Sequence, residues 1–293
     1  MRRTQIGKRI ELTARDIEIF KLLCQYRYLR STYIHAFVGG KSVTRFKERL
    51  GDLFHEGYLG RPSQQWEFAD ARHRPAVYEI GTGAMRILRE TGAAPGDART
   101  FLSETGHQQF LHSLMICEVL ASLELGTRAD PGLRFIGWPE MLGKAPEATR
   151  SSPALFRFPL PSGGQLVPDG LFGIEYRSGE TKTYRFFALE ADRGTMPVAR
   201  SSAGQSSYLS KLGAYREVIE CGLYKTRLGL PNLLVLTVML DEKRLSETMR
   251  RFGERGGGAT FLFKAAGSLL TPDRQFLGEP WERAGLPPLR INE

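Results

Sequence analysis

The 293 residues are 41% hydrophobic and 25% charged, which supplies apolar material for one large core or two ordinary ones and excludes a chain that stays unfolded throughout. The 41 Lys+Arg against 32 Asp+Glu leave a net charge of +9. The excess is uneven: residues 1–100 hold 18 basic and 11 acidic side chains and the rest hold 23 and 21, so a +7 module precedes a nearly neutral one.

A basic module points to a polyanionic partner, nucleic acid before membrane. The longest apolar run, Leu233 to Leu240 with Thr237 inside it, is far short of the roughly 20 residues of a bilayer span. Met1-Arg2-Arg3-Thr4-Gln5 runs into Gly7-Lys8-Arg9, not into the apolar stretch of a signal peptide. The expectation is a cytoplasmic chain without a membrane partner. Cys24, Cys117 and Cys221 are odd in number and about a hundred residues apart, which suits buried reduced thiols on helices and neither a disulfide framework nor a zinc site.

In chain order, Thr13 and Asp16 have the spacing of a capping box, and Ile17, Ile19, Phe20, Leu22 and Leu23 predict a helix running to about Tyr26. A second helix follows from Ser31 through Val38 to a stop at Gly39-Gly40. A third, Ser42 to His55, has Val43, Phe46, Leu50, Leu53 and Phe54 at helical spacing. Gly57–Gly60 and Ala76–Ile80 read as short strands separated by a polar segment with Arg61, Arg72, His73 and Arg74, and Gly83 to Arg89 as a closing helix. Three helices and a basic hairpin predict an N-terminal winged helix-turn-helix. Its third helix would enter the major groove of double-stranded DNA while the hairpin reaches phosphates or a neighbouring groove. The candidate DNA-binding residues are Lys41, Ser42, Thr44, Arg45, Lys47, Arg49, Arg72 and Arg74. A helical protein-interaction domain with merely solvated charges has the same pattern.

Residues 91–106 are rich in small and turn-forming types, predicting domains at 1–95 and 107–293 with a linker at 96–106. In the second module, Gln108–Leu125 reads as a helix with a wide apolar stripe and Leu133–Trp138 as a strand. Gln165–Tyr176 and Thr183–Glu190 are two more strands across the turn Arg177–Glu180, and Ser206–Cys221 is a polar helix. Leu233–Leu240 suits a buried strand, Asp241–Glu254 a helix and Ala259–Lys264 a last strand, with Gly256-Gly257-Gly258 as the loop between these two. The fold class is α+β, a mixed sheet with helices packed on it.

The same order of elements resembles the restriction-endonuclease-like fold, whose nucleases carry Pro-Asp at one central strand and Asp/Glu-x-Lys on the next. Here Pro168-Asp169 opens one strand and Glu190-Ala191-Asp192 ends the next. Carboxylates so placed could hold Mg²⁺ or Mn²⁺, whose bound water would attack a phosphodiester. Asp169, Glu190 and Asp192 are thus the candidate metal ligands. Asp192 stands where the lysine is expected, and Lys211 on the following helix is the candidate substitute. Equally, Pro-Asp-Gly is a common turn, and Asp192 could pair with Arg193 or cap a loop.

Several stretches resemble the replication-relaxation family of bacterial plasmid and mobile-element proteins. They are Leu12–Asp16 leading into Tyr26–Leu29, Arg74–Tyr78 with Gly83, His112, Pro168-Asp169-Gly170, Phe187–Thr195, Lys211 and Tyr215. The resemblance runs from about residue 11 to 240 and implies a winged helix joined to a nuclease-like domain, with a role in plasmid replication or DNA relaxation. Met196 departs from it, because the family has an acid after Gly-Thr.

Three functions follow. The first is a DNA-binding protein of a mobile element acting in replication, relaxation or transcription control. Its second module would provide dimerisation or contact with plasmid replication or transfer proteins, without need of catalysis. The second is a Mg²⁺-dependent endonuclease or nickase using Asp169, Glu190, Asp192 and Lys211. The third is a protein-interaction adaptor. No phosphate-binding Gly-x-x-x-x-Gly-Lys loop, Gly-x-Ser-x-Gly elbow or His-Glu-x-x-His motif occurs.

Overall fold

The computed structural model describes residues 7, 10–67, 70–94, 107–152, 157–195, 197–198, 207–267, 270–273 and 276–293. The predicted linker 96–106 and Met196 lie outside these residues. The chain divides into two compact units, residues 1–121 with 271–273, and residues 122–270 with 274–293. The division falls inside one long helix.

In the first unit, α1 (Ala14–Tyr26) starts from a closed capping box. The Thr13 hydroxyl accepts from Asp16 N at 3.3 Å, and Asp16 Oδ2 accepts from Thr13 N at 2.7 Å. β1 (Leu29–Arg30) leads into α2 (Ser31–Val38), which stops at Gly39, φ 66°. Such a φ is cheap only without a Cβ. α3 (Val43–His55) is capped by Ser42 and followed by β2 (Leu59–Gly60). Two 3₁₀ turns, Ser63–Glu67 and Ala71–His73, precede β3 (Val77–Ile80) and α4 (Thr82–Glu90). The three strands form an antiparallel sheet in the order β1-β3-β2, with Leu29 opposite Tyr78 and Leu59 opposite Ile80. Ile19, Phe20, Leu23, Tyr33, Ile34, Leu50, Leu53, Leu59 and Leu88 are buried together in this unit.

The strand β1 was not legible, because two residues carry no periodicity. The segment between β2 and β3, read as an open basic hairpin, is instead partly folded back. The buried Gln65 amide lends Val77 a substitute strand edge, accepting from Val77 N at 2.9 Å and donating to Val77 O at 3.0 Å.

The helix crossing the division is α5 (His107–Ala129). It is long and apolar enough to span a bilayer by composition, a property that a search for continuous apolar runs passes over. Its apolar window is 67% buried, as in a core helix. The second unit continues with β4 (Leu133–Gly137), α6 (Trp138–Gly143), α7 (Glu147–Arg150), β5 (Phe158–Pro159), β6 (Gln165–Leu166), β7 (Gly170–Ser178) and β8 (Thr181–Asp192). Next come α8 (Tyr208–Glu220), α9 (Leu223–Leu228), β9 (Leu234–Met239), α10 (Glu242–Glu254), β10 (Phe261–Ala265), β11 (Trp281–Arg283) and β12 (Leu286–Leu289). Seven strands form one mixed sheet, β12-β11-β10-β9-β8-β7-β4, parallel between β8, β9 and β10 and antiparallel elsewhere. The protein is α+β.

On one face of the sheet, Ala188, Val235, Met239 and Phe263 pack with Leu209, Leu212, Tyr215 and Val218 of α8 and Leu245 and Phe252 of α10. Elsewhere in the sheet Phe135, Phe172 and Phe187 stack across β4, β7 and β8, with centroids 5.4 and 4.9 Å apart. β9 is buried from Val235 to Met239, which explains its uninterrupted apolar run.

Three expectations change here. The predicted strand Gln165–Tyr176 is two: β6 pairs only with β5, and the sheet strand begins at Gly170, after Pro168, which has no N–H for a ladder. β11 and β12 follow the predicted last strand. Cys24 and Cys117 are buried, whereas Cys221 is exposed because it caps α8 beyond its last packed turn.

Gly81 sets the approach of α4 to the β2 turn. A Cβ there would lie 2.5 Å from Gly57 O and 2.6 Å from Tyr58 C, both backbone atoms. Gly81→Ala is expected to destabilise the chain by about 1–3 kcal/mol, read as a lower urea midpoint with an unchanged slope.

Candidate nucleic-acid interface and buried carboxylate site

The amphipathic spacing of α3 turns Phe46, Leu50, Leu53 and Phe54 inward. Lys41, Thr44, Arg45 and Lys47 are therefore left exposed. Ser42 is half-buried and spends its hydroxyl on the cap, accepting from Arg45 N at 3.3 Å. Arg49 is different. It lies one turn further along and points back to α1, where Nε and Nη2 reach Asp16 Oδ1 and Oδ2 at 3.1 and 2.6 Å and Nη2 donates to Glu11 O at 2.7 Å. Burial opposes the charge of Asp16, but the bonds from Arg49 and Thr13 outweigh it and hold the carboxyl below its ordinary value. Arg49 is thus a structural cation joining α3 to α1. Arg74 pairs with Asp70 at 2.8 Å, and the side chain of Arg72 lies outside the description. Arg61, not among the candidates, is held between the rings of Phe54 and Tyr78, 4.6 and 4.8 Å from their centroids. That position belongs to packing.

In the second unit Asp169 stands immediately before β7 and Glu190 near the end of β8, and the register Gly170↔Leu189 brings the two strand ends side by side. Asp169 Oδ2 accepts from Ala191 N at 2.9 Å, and Oδ1 lies 3.4 Å from Lys211 Nζ. The same ammonium contacts Glu190 Oε2, and the Tyr215 hydroxyl donates to Glu190 Oε1. Tyr208, Lys211 and Tyr215 sit at i−3, i and i+4 on α8, so one helix face delivers all three to the end of β8. That spacing was readable once Lys211 was singled out. Tyr208 donates to Thr237 Oγ1 at 3.3 Å.

The electrostatics follow from burial. Glu190 is 1% exposed. Burial first, and then the Asp169 charge, push its carboxyl up to about 8, against Lys211 and Tyr215. Burial works against the charge of Lys211, yet Glu190 and Asp169 together raise it above its ordinary value. Burial, then the Glu190 charge, lift the Tyr208 and Tyr215 hydroxyls well above theirs.

Asp192 lies two residues beyond Glu190 but is taken elsewhere. Its Oδ2 meets Arg244 Nε at 2.6 Å, and its Oδ1 accepts from Gly194 N at 2.9 Å, a turn that Gly194 makes at φ 79°. Arg244 comes from α10, which follows the neighbouring strand β9, 52 residues beyond Asp192 in the chain, so no local spacing announced this partner; Arg193 is not the one in contact at that oxygen.

These residues do not fit a divalent cation. Each oxygen of Asp169 and Glu190 already faces a backbone N–H, an ammonium or a hydroxyl. Lys211 occupies the position between the carboxylates where a cation would sit. Among the described residues no group of three or more His, Cys, Asp or Glu side chains is placed to hold a metal. The arrangement is a lysine-bridged acid pair closed by tyrosines.

The raised carboxyl has a definite sign in stability. Glu190 ionises near 4.5 when unfolded and near 8 when folded, so its contribution is complete below about pH 4.5 and is lost as pH rises through about 8. Glu190→Gln should therefore unfold at a higher temperature than the wild type at about pH 9, with the advantage gone at about pH 5. An equal loss of stability at both pH values would show that the charged pair with Lys211 dominates.

No curated protein and no solved structure matches the chain. The sequence model of the replication-relaxation family matches residues 20–234, well over half of the chain, and the matched span contains α2, α3 and the Asp169, Glu190 and Lys211 cluster. The chain belongs to the replication-relaxation family.

Proposed function

We propose that this protein binds double-stranded DNA of a plasmid or mobile element, in its replication, relaxation or transcription control. On this reading the first unit is a winged helix that makes the contact, and the second is a nuclease-like fold serving assembly. The observation that carries the reading is the sorting of charge on α3. Arg49 is consumed by Asp16, whereas Lys41, Arg45 and Lys47 project to solvent and make no ion pair among the described residues. The element order α1-β1-α2-α3-β2-β3, with β3 between the other strands, is that of a winged helix. In it α3 is the helix that enters a major groove. The partly folded segment between β2 and β3 is the wing.

A homodimer is part of the proposal only because winged-helix proteins commonly read paired half-sites. The nuclease-like assignment of the second unit rests on its order of elements and on the strand-end acids. Lys211 between those acids favours a site that no longer cleaves. Cytoplasmic location, and replication or transfer proteins of the mobile element as further partners, belong to this proposal.

Arg45→Ala with Lys47→Ala should weaken binding to a duplex at least roughly ten-fold at about 0.1 M salt without lowering the unfolding temperature, measured by fluorescence anisotropy and thermal melts. Unchanged affinity would remove α3 from the interface. Supercoiled plasmid with Mg²⁺ or Mn²⁺ should be retarded in a gel but remain supercoiled. Nicking by the wild type and not by Glu190→Gln would establish the nuclease instead.

A further inference from the structure

The groove where α1 and α3 converge has a volume of about 800 Å³, and its charged lining is Arg15, Asp16, Lys41, Arg45 and Arg49. We propose that it seats the sugar-phosphate backbone of duplex DNA beside α3, with Arg15 of α1 as an anchoring cation. This rests on the DNA-binding reading above and adds to it a second helix and a path for the strand.

Three observations carry it. First, Asp16 is the one acid of the lining among the described residues and is already neutralised by the two-pronged contact from Arg49. The groove therefore presents the uncompensated charges of Arg15, Lys41 and Arg45, none of which makes an ion pair among the described residues. Second, the turn into α3 passes close to Arg15. Gly39 and Gly40 have φ of 66° and 142°, and a Cβ on Gly40 would lie 3.5 Å from Arg15 Nη1 and 3.6 Å from His35 Nε2. His35 Nε2 and Gly40 O, 3.2 Å apart, fix that turn. The exposed guanidinium of Arg15 thus lies next to the backbone that carries Lys41. Third, the groove is far larger than one small anion needs, so it suits a chain of phosphodiesters. An arginine fork matches the non-bridging oxygens of a phosphodiester. It reads charge and position rather than base identity.

The experiment uses the full chain and two unrelated duplexes, with anisotropy titrations between about 50 and 200 mM salt. Arg15→Ala should weaken both duplexes equally, by roughly ten-fold at the lower salt, and reduce the slope of log affinity against log salt by about 0.9. Arg15→Lys should recover most of the slope, and melting temperatures should stay unchanged. Wild-type binding that Arg15→Ala leaves intact, while Arg45→Ala with Lys47→Ala abolishes it, would overturn the groove and keep the DNA-binding reading. Wild type that binds no duplex at low salt, or that prefers polyglutamate, would overturn both. A loss confined to one duplex would make Arg15 a base-reading residue and would also contradict the proposal.

Discussion

A charge taken out of water must be paired, and this constraint sorts the ionisable residues of both units. Asp16, 1% exposed, draws Arg49 inward and so ties α3 to α1. Arg30 Nε lies 2.6 Å from the buried Glu118 Oε1. Asp169 draws Lys211 beside the largely neutral Glu190, and Asp192 draws Arg244. Removing either member of such a pair leaves the other stranded in a poorly solvated site, so these cations are committed to the fold. Among the described residues, Arg15 and the cations on the N-terminal side of α3 make no such pair and face solvent.

The same constraint bears on chemistry at the strand ends of β7 and β8. Two carboxylates converge there, as they would for a metal, but a lysine from α8 bridges them and two tyrosines close the site. A neutral Glu190 beside an ammonium is a stable interior and a poor ligand set. The acids at the strand ends are thus tied into packing by Lys211, Tyr215 and the Ala191 N–H. The replication-relaxation membership of the chain is compatible with the proposal that one unit contacts DNA and the other supports assembly.

Much of this was legible because local physics decided it. Thr13 and Asp16 announced the start of α1, the Gly39-Gly40 pair ended α2, and the apolar spacing of α3 located its buried Phe46, Leu50, Leu53 and Phe54, though not the exposed Val43 at its start. The α8 spacing that presents Lys211 and Tyr215 was equally visible. What escaped were features set by distant partners. Arg49 read as another exposed cation of α3, because nothing within a few residues reveals Asp16 on a different helix. Asp192 read with its neighbours, because Arg244 comes from α10. Two-residue strands such as β1 and β6 carry no period to detect, and Gln65 replaces a strand edge with a side chain that no pattern encodes.

The sorting of paired from free cations can be observed directly by titrating a duplex into protein labelled at its arginine side chains and following the guanidinium resonances. The Arg15 and Arg45 signals should shift and sharpen while those of Arg49 and Arg244 stay in place. Movement of Arg49 without movement of Arg45 would contradict the account, since it would mean that the residue assigned to holding α3 against α1 is the one that meets DNA.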